Sequence, residues 1–238
     1  ERCFRLLSEE KLRRAEKDGE KTVSGTLGVK DGVLMFTFPD FAVTVEEEKK
    51  QAADPKAAEE VKSELNEIIG LSEVKDYVLS LEQNYIIQRL REARGMKADV
   101  PTMHMIFTGN PGTGKTTIAR LVSRYLKAMG VLSGGQLIEV TRADLVGKYV
   151  GHTAPLTQQV IRSALGGVLF IDEAYSLYRG ADDSFGLEAI DTIVKGMEDH
   201  REDLIVILAG YTKEMEEFLT ANSGLRSRFP NIIEFPDY

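Results

Sequence analysis

Gly109-Asn110-Pro111-Gly112-Thr113-Gly114-Lys115-Thr116 fills every position of the pattern G-x-x-x-x-G-K-[ST]. The pattern has a physical basis. Glycines let successive backbone N–H groups turn inward around an anion, where side chains would block its approach. Lys115 supplies a point charge for the outer phosphates of a nucleotide, and the Thr116 hydroxyl suits a Mg²⁺ ion. Met103–Thr108 before the loop is an apolar run that reads as a buried strand, and Thr117–Val122 after it reads as a helix start. Strand, glycine loop and helix together aim a helix N-terminus at an anion. Pro111, Gly112, Thr113, Gly114, Lys115, Thr116 and Thr117 are therefore the candidate nucleotide-binding residues.

The rest of the chain fits an α/β domain around that loop. Apolar runs at 103–108, 136–140, 167–171, 204–209 and 231–235 alternate with helical stretches at 72–93, 115–129, 155–165, 184–198 and 212–220. Such alternation predicts a mostly parallel sheet covered on both faces, with ligands at the carboxyl ends of its strands. The run Gly167–Ile171 ends in Asp172-Glu173, which lies 57 residues after Lys115 and leaves room for an intervening helix, strand and helix. Asp172 is placed to serve the shell of a Mg²⁺ ion and Glu173 to orient an attacking water.

Residues 1–64 read differently, as an appendage and linker distinct from a large domain at 65–238. Cys3–Lys17 suggests a short amphipathic helix. Val33–Phe38, closed by Pro39, and Phe41–Val45 suggest two paired strands. Residues 46–64 are charged and alanine-rich, as in a solvated helix or linker.

The 238 residues carry 30 Lys and Arg against 38 Asp and Glu, a net charge of −8. That balance opposes a nucleic-acid partner. The single cysteine suits a reducing compartment, and the absence of a long apolar run opposes a membrane span; a cytoplasmic location is expected. His104, His152 and His200 show no metal-ligand spacing. Because the first residue is Glu1, a longer parent protein is expected.

The phosphate loop plus an apolar run ending in Asp-Glu resembles the AAA+ ATPases. The wording of Thr108–Thr116, Gly151–Ala154, Leu169–Tyr175, Leu208–Tyr211 and Phe235–Tyr238 resembles more narrowly the CbbX/CfxQ family, which has SpoVK and EccA as relatives. The likeness runs over about 65–238.

The resemblance implies an α/β P-loop large subdomain with a five-stranded parallel sheet, ATP and Mg²⁺ as cofactors, and a protein client remodelled by a homo-oligomeric ring. That ring is a hexamer in the presence of a C-terminal helical lid. The chain ends at Tyr238, just after the fifth strand, so loose nucleotide binding and poor turnover are expected of it alone. The resemblance further implies adenine contacts from Ile69 and Gly70 and a pore loop at Lys148, Tyr149 and Val150. It also implies an arginine reaching a neighbour's γ-phosphate, Arg228 with Arg226 as partner or substitute, and a sensor after the fourth strand. Thr212 stands at the sensor position, where many relatives carry Asn.

A nucleotide-switched scaffold with little hydrolysis is the alternative. Glu173 speaks against it, since a scaffold has no use for a water-orienting carboxylate. The late arginines disfavour a small-molecule kinase.

Overall fold

The computed structural model describes residues 26–30, 33–37, 42–44, 53–94, 102–180 and 182–237. The expected helix at Cys3–Lys17 lies outside the described residues. The chain divides into two units, Glu1–Lys49 and Lys50–Tyr238.

In the first unit, β1 (Thr26–Lys30), β2 (Val33–Thr37) and β3 (Ala42–Thr44) form an antiparallel sheet in that order. In the register, Phe36 pairs with Leu27 of β1 and with Val43 of β3. The two expected strands correspond to β2 and β3; β1 falls in a stretch that carried no strand expectation. Its signal was the alternation of Leu27 and Val29 with smaller or polar neighbours.

The second unit begins ahead of the expected boundary at 64/65. That position lies inside α1 (Pro55–Glu67), which the Asp54 carboxylate caps by accepting from the backbone N–H groups of Lys56 and Ala57 (3.1 and 3.2 Å). Pro55 takes the first helical position, where no N–H is needed. This helix is not merely solvated. Ala58, Val61 and Leu65 form a buried stripe at helical spacing, and Arg124 donates two hydrogen bonds to the Glu64 carboxylate (2.6 and 2.7 Å). Then come α2 (Ser72–Ala93), β4 (Met105–Gly109), α3 (Lys115–Ala128), β5 (Leu137–Val140), α4 (Arg142–Leu145) and α5 (Thr153–Ala164). The chain continues through β6 (Val168–Ile171), a 3₁₀ turn (Ala174–Leu177), α6 (Ser184–Asp199), β7 (Ile205–Gly210), α7 (Thr212–Ala221), α8 (Ser223–Arg228) and β8 (Asn231–Phe235).

The five strands run parallel in the order β5-β6-β7-β4-β8. Alternate side chains serve opposite faces. Met105, Phe107, Val168, Phe170, Ile205 and Ile207 pack under α1, α2 and α3. Ile106, Leu169, Ile171, Val206 and Leu208 pack under α5, α6 and α7. Burial on both faces explains why these strands read as continuous apolar runs. The order places β4 between β7 and β8, so the phosphate loop leaves the sheet from its interior. Among the described residues no helix is long and apolar enough to cross a membrane.

Candidate functional site: a phosphate-loop cleft

β4 delivers the chain to the loop through Gly109, whose φ of +143° belongs to glycine and whose missing Cβ would overlap the Phe235 carbonyl oxygen. The loop is thus shaped partly by β8. Asn110 reinforces this by donating from Nδ2 to both carboxylate oxygens of Asp237 (2.9 Å each). Gly112 and Gly114 also take positive φ (76° and 91°), and Gly114 begins α3 in the left-handed region. At Gly112 an added Cβ would meet nothing within 4 Å, so an incoming group has open space there.

The Lys115 ammonium donates to the carbonyl oxygens of Gly109 (2.9 Å) and Asn110 (2.7 Å). Burial pulls it below the ordinary lysine range, and the Asp172 carboxylate opposes that shift. Thr113 is buried behind the loop, its hydroxyl donating to the Asn110 carbonyl oxygen (2.8 Å).

Pro111, Gly112, Gly114, Lys115, Thr116 and Thr117 line a cleft of about 370 Å³. Asp172 and Glu173 close its other side, with Gly210 and Tyr211 at the end of β7. Asp172 leaves the end of β6 and is held by β5: its N–H donates to the Val140 carbonyl oxygen (2.9 Å), and its Oδ1 accepts from the Glu173 N–H (3.0 Å). Glu173 adopts φ 47°, ψ 46°. A left-handed glutamate is uncommon and costs on the order of 1–3 kcal/mol, a strain typical of functional positions. It turns the chain sharply into the 3₁₀ segment. There Tyr175 stacks on Tyr211 (5.7 Å between centroids, 29°) and its hydroxyl pKa is pushed up to about 12, chiefly by burial and next by Glu173.

The donor set fits a magnesium ion. The Thr116 hydroxyl and the Asp172 carboxylate share the cleft, and Mg²⁺ prefers few protein oxygens, leaving the other positions to water and phosphate. Among the described residues no group of three or more His, Cys, Asp or Glu could form a dedicated metal cage.

Other expected residues stand elsewhere. Ile69 is 83 % exposed and Gly70 takes φ 73°, just before α2; neither lines the cleft. Thr212 opens α7 one residue beyond the cleft wall, so the residues that reach the space from β7 are Gly210 and Tyr211. Their position at a strand's carboxyl end was the available signal for them. Tyr149 and Val150 are exposed (68 % and 88 %) between α4 and α5, beside Lys148. The Tyr149 ring meets the His152 ring edge-on at 5.5 Å. Arg226 and Arg228 end α8 and are not among the residues that line the cleft. Arg228 donates to the Glu198 carboxylate through Nε (3.0 Å) and a terminal nitrogen, and to the Gly224 carbonyl oxygen (2.9 Å).

A glycine loop between an interior parallel strand and a helix, faced by two carboxylates from the end of a strand one removed in the same sheet, defines a P-loop NTPase. The model of the ATPase family associated with various cellular activities matches residues 105–237, and the chain belongs to that family, as a member of its CbbX/CfxQ group. The chain is 50 % identical over 190 residues to stage V sporulation protein K of Bacillus subtilis, covering 80 % of this chain and 59 % of that protein. It is 51 % identical over 183 residues to protein CbbX of Cereibacter sphaeroides, covering 76 % and 59 %. It is also 50 % identical over 173 residues to a chloroplastic ribulose bisphosphate carboxylase/oxygenase activase of Cyanidioschyzon merolae, covering 72 % and 59 %. The chain thus spans somewhat over half the length of these relatives.

Proposed function

We propose that the chain is the ATP-hydrolysing part of a homo-oligomeric ring that remodels a protein client. The observation that carries this reading is the convergence of Asp172 and Glu173 on the cleft formed by Pro111–Thr117. The loop amides and Lys115 hold the phosphates, and Thr116 and Asp172 hold Mg²⁺, which would supply neutralisation of the phosphate charge. Glu173 orients a water and draws on its proton as the oxygen attacks the γ-phosphorus. The bond from that phosphorus to the β–γ bridging oxygen breaks, and ADP and phosphate depart. Tyr211 walls the cleft, Thr212 stands behind it as the sensor candidate, and Ile69 and Gly70 are the adenine-side candidates.

Arg228, with Arg226 beside it, is assigned to the next subunit's γ-phosphate, where such a charge raises turnover by about 10³–10⁵. The exposed Tyr149, flanked by Lys148 and Val150, is assigned to gripping the client. A protein client is supported by the name of one relative, an activase of another enzyme.

The test is subunit number under ATP–Mg²⁺, by sedimentation, for Glu173→Gln and for Glu173→Gln/Arg228→Ala. Assembly that requires Arg228, with Glu173→Gln binding ATP but turning over at least about a hundredfold more slowly, is the expected result. A monomer in both cases refutes the shared-site ring. Undiminished turnover in Glu173→Gln refutes its role.

A further inference from the structure

Arg142 stands at the first position of α4, seven residues before Tyr149, yet every hydrogen bond recorded for its side chain goes to the segment that follows Glu173. One terminal nitrogen donates to the carbonyl oxygens of Ser176 and Leu177 (3.0 Å each) and to Asp183 Oδ2 (2.8 Å). The other donates to Asp183 Oδ1 (3.1 Å). The two side chains are only 16 % and 12 % exposed, unlike an ordinary surface pair. Asp183 in turn caps α6, its Oδ1 accepting from the Gly186 N–H (3.1 Å). Gly186 is there because nothing larger fits: a Cβ would overlap the Leu177 carbonyl oxygen and lie 2.6 Å from Asp183 Oδ2 and 2.8 Å from the Arg142 nitrogen.

The clasp therefore joins three segments with different tasks. Its carbonyl partners belong to the 3₁₀ turn that begins directly after Glu173, and Tyr175 in that turn stacks on the cleft-lining Tyr211. On the other side, α4 is stiffly held. A reciprocal Thr141–Asp144 cap closes its start, and the Leu145 carbonyl oxygen accepts from the buried Thr157 hydroxyl (2.8 Å). Gly147 N–H donates to the Thr153 hydroxyl oxygen (3.1 Å), which anchors the root of the exposed loop.

We propose that Arg142 is a positioning residue that couples the nucleotide cleft to the exposed Tyr149 loop, its clasp on Ser176, Leu177 and Asp183 making the two respond together. Packed side chains, hydrogen-bond networks and rigid elements can carry coupling between sites, and here one guanidinium ties such elements together. The inference rests on the cleft taking ATP, as proposed above.

The chain contains no tryptophan, so Tyr149→Trp places a single emission reporter on the loop. The probes are a non-hydrolysable ATP analogue with Mg²⁺, read by that emission, and a fluorescent ATP analogue, read for affinity. In the Tyr149→Trp parent the first probe should change the emission. Arg142→Gln should abolish most of that change while keeping nucleotide affinity within about threefold. Gly186→Ala, which retains both charges but forces the clasp apart, should do the same. Arg142→Lys keeps the charge without the fork that spans four acceptors and should lose an intermediate share. A full emission change in these variants, or none in a parent that binds nucleotide, overturns the coupling. A parent that binds no nucleotide overturns the ATP reading and the coupling with it.

Discussion

Acid should weaken this domain through one histidine. His104 is 5 % exposed at the entrance to β4, five residues before Gly109. Its Nδ1 accepts the backbone N–H of Val206 (3.0 Å), so the ring must be neutral at that nitrogen. The Phe229 ring lies 5.8 Å away. Burial pulls the His104 pKa from 6.5 down to about 4. The folded value is depressed, so between the two values the unfolded chain takes a proton that the folded chain refuses. The stabilisation is complete above about pH 6.5 and is lost as pH falls towards 4. The gap between the two values corresponds to about 3 kcal/mol in full, of which about 2 kcal/mol is lost between pH 7 and pH 5.

Urea unfolding at pH 7 and pH 5 measures this directly. In His104→Gln the side-chain oxygen can still accept from Val206 but cannot titrate. The parent should lose about 2 kcal/mol across that interval and the variant less than about 0.5 kcal/mol. Asp183 is held below the ordinary range chiefly by hydrogen bonds from Arg142, and Glu82 chiefly by Lys62; both titrate below this interval. Equal pH slopes in parent and variant would refute the assignment to His104.

Three further outcomes are expected. Gly109→Ala forces a residue with a Cβ to φ +143° against the Phe235 carbonyl, and should cost about 2–4 kcal/mol by urea unfolding; a cost under about 0.5 kcal/mol would mean that β8 yields easily. Lys115→Ala removes the cation that the loop carbonyls hold at the cleft, and should weaken a fluorescent ATP analogue more than about tenfold with little loss of stability. Glu198→Gln weakens the half-exposed clasp on Arg228, so stability should change by less than about 1 kcal/mol. In the assembled chain its ATPase rate should rise, whereas Arg228→Ala should lower it; a fall in both would place Glu198 among the supports of Arg228 rather than its restraints.

The phosphate loop and the β6 carboxylates were legible because their signals are local. Glycine spacing marks the loop, and an unbroken apolar run marks a strand buried on both faces. Helix α2, Ser72–Ala93, coincides with the helical stretch expected at 72–93, a run with no glycine or proline to interrupt it. Helix α1 was legible only as a solvated helix or linker over 46–64; its packed face was not, because Ala58, Val61 and Leu65 are three buried residues in a charged stretch. Their burial depends on the distant α3 lying across them. Strand β1 was hidden by Gly28 and Lys30, which depress strand propensity although the pairing to β2 tolerates them. The Arg142 clasp was illegible in principle: its partners lie 34, 35 and 41 residues away, and nothing local in a short polar helix start announces them.

The same distinction explains why the loop needs this sheet order. A glycine-rich octapeptide can adopt many shapes, and its freedom is an entropic cost to any folded form. Here two tertiary contacts limit that freedom, and a carboxylate across the cleft adds an electrostatic restraint. Phe235 fills the space beside Gly109, Asp237 holds Asn110 from the exit of β8, and Asp172 faces Lys115 from the end of β6. Each comes from a strand that the order β5-β6-β7-β4-β8 brings near β4, on its flank or one strand removed. The motif supplies the backbone that can wrap an anion, but the sheet supplies the walls that hold it in that shape. The cleft chemistry is therefore a property of strand order as much as of the eight residues that advertise it.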